Sequence, residues 1–243
     1  MPRPASEPGT VLVLSPHPDD DVIACGGTIA ARTAAGARVV VAVVTDGAAS
    51  HTAVLGIHAD PSPAELAEVR RAEATAAAKV LGVSDVRFLG HADTGLAATL
   101  PRLREQLLEL FAELDPAEVF LPHDVRELHG DHRLTGEVAV ACLAELGSAP
   151  ALRKYVVWDE RTEAEFAFTS REPTDAEPAA GERLVAFDIT AHRDAKRAAL
   201  AEHRTQVELY APGQTRPVVP LAFQRRVLDR AAESFWLSPT ELP

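Results

Sequence analysis

Cysteine is scarce: Cys25 and Cys142 are the two in 243 residues, and they form no CxxC pair. No disulfide framework follows from them, and buried free thiols in a reducing compartment are the expected state. Basic charge is also short, with 24 Lys and Arg against 36 Asp and Glu and a net charge of −12. A nucleic-acid or anionic-membrane surface needs a basic footprint, so neither partner is expected. No apolar run approaches the roughly 20 residues of a membrane span. The opening "MPRPASEPGT" has no apolar h-region, so no signal peptide is read and a cytoplasmic protein is expected. After the first apolar run there is neither GxGxxG nor a Walker lysine, since "CGGTIAA" reproduces neither spacing. That weighs against a nucleotide-dependent enzyme. Internal repeats and coiled-coil heptads are missing too.

What is present is an ordinary globular composition, 47% hydrophobic and 25% charged. The length fits one large domain with a sizeable core. Apolar runs at 11–15, 38–46, 86–90, 118–123, 154–160 and 183–190 read as strands, the first two apolar throughout as strands buried on both faces should be. Helical stretches alternate with them. One opens at Ser62 as N-cap with Pro63 in the first turn, its apolar stripe read as Leu66, Val69, Ala76 and Val80. A last helix is expected at about 220–237. The alternation predicts a single α/β domain over 1–243, Rossmann-like, with a mostly parallel sheet and helices on both faces. Two stretches interrupt it. Residues 47–63 read as a polar loop, and 159–182, acidic and proline-bearing, as a mobile excursion or poorly paired hairpin, so each is either functional or disordered.

The first strand runs directly into "SPHPDDDVIACGG" (15–27). Ligands of open parallel sheets bind beyond the carboxyl ends of the strands, where this segment falls. A plain helix start explains part of it, since Pro18 suits an early helical position and aspartates complement the helix dipole. It does not explain His17. A second cluster, "HGDH" (129–132), follows a later strand and also opens a helix. If those strands are neighbours, His17, Asp20 and one later histidine would offer a metal an N, O, N set with a position open, the mark of a catalytic rather than structural site. A receiver-type signalling module also places paired acids after its first strand, but it is about half this size, and that reading leaves HGDH unused.

These two motifs resemble the signatures of the PIG-L, or LmbE-like, zinc-dependent N-deacetylases. The likeness extends to "VVTDGA", "VRRAEATAAAKVLGV", "FLGHADTGL" and "FDITAHRDAKRAALAEHRTQ", and so covers about residues 10–207. It implies His17, Asp20 and His132 as zinc ligands, with ferrous iron an alternative occupant. It implies Asp19 as general base, His129 as the group that stabilises the transition state or protonates the leaving amine, and Asp131 as the residue that orients or tunes His129. Arg70 and Asp93 lie where the family contacts polar substrate; a solvated helix charge and a turn residue before Gly95 are their plain alternatives. Two positions depart from the family pattern: Asp21 stands for a usual Glu, and Glu127 for a tyrosine of some thiol-pathway members. The implied function is hydrolysis of the N-acetyl group of a small polar metabolite, an N-acetyl amino sugar or glycosylated natural-product intermediate. An amidase of thiol S-conjugates and a non-catalytic metal-binding or ligand-binding relative are the alternatives, and a homo-oligomer stays open. His51 and His58 read as solvated loop residues. His91 and His123 end strands near the site, and His203 reads equally as a family feature or a helix-surface residue.

Overall fold

A computed structural model describes residues 9–169, 171 and 176–238. Its frame is a seven-stranded sheet: β1 (Thr10–Ser15), β2 (Arg38–Thr45), β3 (Asp85–His91), β4 (Glu118–Pro122), β5 (Ala151–Tyr155), β6 (Arg183–Asp188) and β7 (Ala232–Leu237). The spatial order is β3-β2-β1-β4-β5-β7-β6. The first five strands are parallel, and β7 runs antiparallel to both β5 and β6. The sheet is therefore mixed, Rossmann-like over its parallel part, as the alternation of runs predicts.

Between the strands lie α1 (Asp20–Ala34), α2 (Pro63–Val80), α3 (Leu100–Leu114), α4 (Gly130–Leu146), α5 (Glu160–Phe166), α6 (Arg193–Glu202), α7 (Arg204–Val207) and α8 (Leu221–Leu228). Strand side chains alternate between two cores. Val11, Val13, Val39, Val41 and Val43 pack with Ile23, Ile29, Leu200 and Phe223 of α1, α6 and α8. Leu12, Leu14, Val40, Ala42 and Val44 pack with Leu103, Leu107 and Phe111 of α3 and Leu143 of α4. The central strands are thus covered on both faces, which is why their sequence shows no polar alternation. No helix among the described residues is long and apolar enough to cross a membrane.

The order reverses between β1 and β4, so the chain leaves these neighbouring strands in opposite directions. A crevice opens above their carboxyl ends. Segment 16–20 leaves β1 there, and 123–132 leaves β4. Gly136 lets α4 approach closely, because a Cβ on it would meet the Pro122 carbonyl at 2.4 Å.

Several boundaries differ from the sequence expectation. The helix expected at 220–237 is α8 followed by β7, whose burial alternates residue by residue and whose aromatic Phe235 and Trp236 suit a strand. Strand β5 starts at Ala151, three residues before the apolar run used to find it. Within 47–63 there is a π-helical turn, His51–Leu55. Within 159–182 there is α5, capped by Asp159; residues 170 and 172–175 of that stretch lie outside the described ones. Helix α2 has the expected capping box between Ser62 and Glu65, but its buried face runs through Leu66, Arg70, Glu73 and Ala77, while Val80 is exposed. Two charged residues inside that face hid it from apolar periodicity.

Candidate active site

The loop after β1 is pinned by its own short side chains. Ser15 Oγ accepts from the Asp21 N–H at 3.0 Å and donates to the His17 carbonyl at 2.7 Å. Asp20 folds back so that Oδ2 accepts from the His17 N–H at 2.8 Å. Asp19 occupies the N-cap position of α1 but makes no capping hydrogen bond. Its carboxylate faces Arg70 instead, with Oδ1 3.1 Å from the guanidinium. The helix-start reading therefore accounts for Asp20 and Asp21 in the first turn, and not for Asp19.

Three donor atoms from the two motifs meet at the crevice. His17 Nδ1, Asp20 Oδ2 and His132 Nε2 form a triangle with edges of 3.1, 3.1 and 3.0 Å. All three residues are buried. The far nitrogen of each ring is backed by carboxylate. His132 Nδ1 lies 3.2 Å from Glu127 Oε1, and Glu127 is itself held by the N–H groups of Val157 (2.7 Å) and Trp158 (2.9 Å). His17 Nε2 lies 3.1 Å from Asp93 Oδ1 and 3.4 Å from Asp131 Oδ2. Those are ion-pair distances with angles outside hydrogen-bond geometry.

This donor set fits a divalent cation. Two imidazoles and a carboxylate aim at one point, and each ring is steered from behind by a carboxylate, the usual support of a metal-bound histidine. Charge points the same way. Asp19, Asp20, Asp21, Asp93, Asp131 and Glu127 crowd the centre, while Arg70 is the arginine among them. With only side chains to balance them, burial would lower His132, yet Asp20 and Glu127 outweigh it and raise it to about 9. A bound cation would take the place of such protons.

The other motif residues surround this triangle. Burial, opposed by Arg70, pushes the Asp19 carboxyl up to about 7. Burial and the neighbouring imidazoles of His17 and His132 bring His129 down to about 3. Its Nδ1 accepts from the Asp131 N–H at 3.3 Å, which leaves an Nε2–H for the cavity that His129 lines. Arg70 reaches in from α2 and donates to the carbonyls of Gly47 (2.7 Å) and Pro18 (3.1 Å). Gly47 has φ +65°, and a Cβ there would strike the guanidinium at 2.3 Å, so both the turn and the close approach require glycine. Asp93 Oδ2 accepts from the Ala49 N–H at 2.9 Å, tying the β3 exit to the β2 exit. The side chain of Asp131 turns to His17 and the next loop, not onto His129: it accepts from the N–H groups of Thr94 (2.8 Å) and Leu96 (3.2 Å). Thr94 is held at φ 61°, an unfavourable conformation for a β-branched residue. That strained turn wraps the Asp131 carboxylate.

All eight candidate residues are thus brought together; His17, Asp20, Asp19, Arg70, Asp93 and His129 line one cavity, with His132 of the His17–Asp20–His132 triad fully buried behind it. Glu127, noted in the sequence only as a departure, is the missed member; an acid two residues before HGDH was its one available signal, and its burial appears only in the fold. The remaining histidines divide. His51 is buried against Arg70 and Tyr210 rather than solvated, and desolvation lowers it to about 4. His91 bonds Thr99 and Gln106, and His123 bonds Glu182. His58 is exposed. His203 is fully buried with neither ring nitrogen partnered.

The family model of GlcNAc-PI de-N-acetylase, PIG-L, matches residues 12–143. The chain belongs to the PIG-L family. A 1D-myo-inositol 2-acetamido-2-deoxy-alpha-D-glucopyranoside deacetylase from Actinosynnema mirum is 32% identical over 238 residues, covering 85% of this chain and 83% of that protein. The diacetylchitobiose deacetylase of Thermococcus kodakarensis is 32% identical over 147 residues, covering 60% and 53%. Among solved structures, a conserved protein of Thermus thermophilus superposes with TM-score 0.63 at 26% identity, covering 96% of each chain. The N,N'-diacetylchitobiose deacetylase of Pyrococcus horikoshii gives 0.59 at 27%, covering 80% of this chain and 69% of that one. The PIG-L match ends within α4, so it contains the triad and its supports, while β5 and everything after it lie beyond.

Proposed function

We propose that this PIG-L protein is a divalent-metal-dependent N-deacetylase that hydrolyses the acetamido group of a small amino-sugar compound, with zinc as its ion and ferrous iron as the alternative. The observation that carries the reading is the His17, Asp20 and His132 triangle, beside a cavity lined by two of its members together with Asp19 and His129. Two relatives named as deacetylases of acetamido sugars support the substrate class.

A divalent ion on these donors supplies Lewis-acid polarisation of the amide carbonyl and a water acidic enough to react near neutral pH. Asp19 accepts the proton of the attacking water. Its burial keeps the carboxyl basic enough for that task, and Arg70 fixes one oxygen so that the other is left for the cavity. His129 donates its Nε2–H to the charge that develops on the carbonyl oxygen, in a site already shielded from bulk water. Asp93 and Asp131 act through His17, Glu127 through His132, and Arg70 through Asp19. The proton that Asp19 has taken then passes to the amide nitrogen as the C–N bond breaks, giving acetate and the free amine.

Protein purified without added metal and without a histidine tag should carry one divalent ion per chain and release acetate from N-acetyl amino sugars. His132→Ala should lose both properties. A protein that holds no ion, and takes up none at neutral pH, would overturn the reading.

A further inference from the structure

The cavity beside the triad has a wall that extends well past the residues an acetyl group would touch. Its lining has two origins. Motif residues before residue 143 supply His17, Asp19, Asp20, Arg70, Asp93 and His129. A second wall comes from beyond the family match, from the β5 exit, α5, α8 and the segments beside those helices. Val157, Trp158, Phe166, Phe168, Val219 and Phe223 form it. Its rings make a continuous path away from the triad. His129 lies 5.2 Å from Trp158, Trp158 4.8 Å from Phe166, and Phe166 5.2 Å from Phe223, while Phe168 touches Trp158 at 5.7 Å.

A hydroxyl-bearing ring pressed on this wall would lose water from its hydroxyls and find no side-chain oxygen to replace it. Polar partners come from the loops after β2 and β3 and from α7: Asp93 holds the Ala49 N–H, and Gln206, whose backbone carbonyl accepts the Val219 N–H at the edge of the apolar wall, donates to Ser50 at 3.3 Å. The geometry points to a substrate with two faces: an acetamido sugar on the polar side and an apolar alkyl or aryl aglycone on the Trp158–Phe168 wall. This rests on the deacetylase reading, under which the acyl group is only a methyl and leaves the aromatic wall without an occupant. Each methylene transferred onto such a surface strengthens binding roughly fourfold when fully buried, so even partial burial of a short chain is measurable.

The test compares N-acetylglucosamine glycosides with methyl, hexyl and phenyl aglycones, following acetate release by the metal-loaded enzyme. Hexyl and phenyl glycosides should exceed the methyl one in kcat/KM by about tenfold or more, chiefly through KM. In Phe168→Ser and Val219→Ser, two variants from separate segments, the hexyl-to-methyl ratio within each variant should fall below about threefold. Equal kcat/KM for the three glycosides, or a ratio unchanged in both variants, would overturn the apolar subsite and leave the deacetylase reading standing. So would an advantage that follows N-acyl length instead of the aglycone. If no glycoside is hydrolysed but hexyl N-acetylglucosaminide shifts the Trp158 fluorescence where the methyl compound does not, the subsite stands and the deacetylase reading fails. A control with Trp236→Phe assigns that signal to Trp158.

Discussion

Glu127 does two things with one carboxylate. Oε1 backs the His132 ring, and both oxygens accept N–H groups from the Val157–Trp158 turn, so the ligand's tautomer and the start of the aromatic wall share a fixed point. Replacing such a partner commonly weakens a metal site by about 10–100-fold. Glu127→Gln keeps the size and loses the charge; competition with a chelator should show a metal dissociation constant raised within that range, and an unchanged constant would remove Glu127 from the site's support. Asp19 predicts the converse. It makes no edge of the donor triangle, so Asp19→Asn should retain the ion while turnover falls by about 10²–10⁴. Full turnover with the ion in place would sink its assignment as base. His17 and Asp20 were legible as residues because a histidine in a helix start has no plain structural reason. Their supports were harder to read: Asp131 reaches His17 only once β1 and β4 are neighbours, and Glu127 is fixed by the Val157–Trp158 turn beyond β5.

Helix α1 is the element that presents Asp20, and its middle is not held by helical bonds alone. The Gly27 and Thr28 N–H groups donate to the Glu233 carboxylate at 2.9 and 2.8 Å. Lys196 Nζ completes the bracket, donating to the Ile23 carbonyl at 2.8 Å and to Glu233 at 2.7 Å. The glycine pair of "CGGT" has its reason here: a Cβ on Gly27 would lie 2.7 Å from Ile189, so the helix could not approach the chain entering α6. Both partners of the ion pair are almost wholly buried, and removing one leaves the other charged and unpaired. Glu233→Ala should therefore destabilise the fold by about 3–5 kcal/mol, measured by urea denaturation. The double variant Lys196→Met, Glu233→Leu should recover only part of that loss, because an apolar pair strands no charge but still takes these partners from the Gly27 and Thr28 N–H groups and the Ile23 carbonyl. A single-variant loss below about 1 kcal/mol would mean the bracket does not hold the helix. None of this was visible in the sequence, where Glu233 fell inside an expected helix. The alternation that makes β7 a strand is only six residues long and follows α8 after a short break, so the helical period ran over it.

Across the whole molecule, the parallel sheet and the position of the site were readable because two uninterrupted Val and Leu runs can only be strands covered on both faces. A site in such a sheet lies at the carboxyl ends of its strands. What escaped was whatever depends on distant packing: the antiparallel β6–β7 edge, the charged buried face of α2, and the state of His203. That histidine read equally as a family feature or a helix-surface residue. It is instead wholly enclosed at the junction of α6 and α7, without a hydrogen-bond partner. Burial, reinforced by Arg70, lowers it to about 3. The sign of its effect on stability follows. An unfolded chain protonates this imidazole near pH 6.5 while the folded one stays neutral, so between those values the unfolded state binds the extra proton and stability falls with falling pH. From pH 7 to pH 5 the linkage amounts to about 2 kcal/mol at full burial. His203→Asn has no proton to take up. Urea midpoints at the two pH values should show the wild-type protein losing about that much more stability than the variant. If the two lose stability in parallel, His203 is not buried in the neutral form, and the packing of α6 and α7 against α2 would have to open to water in the native state.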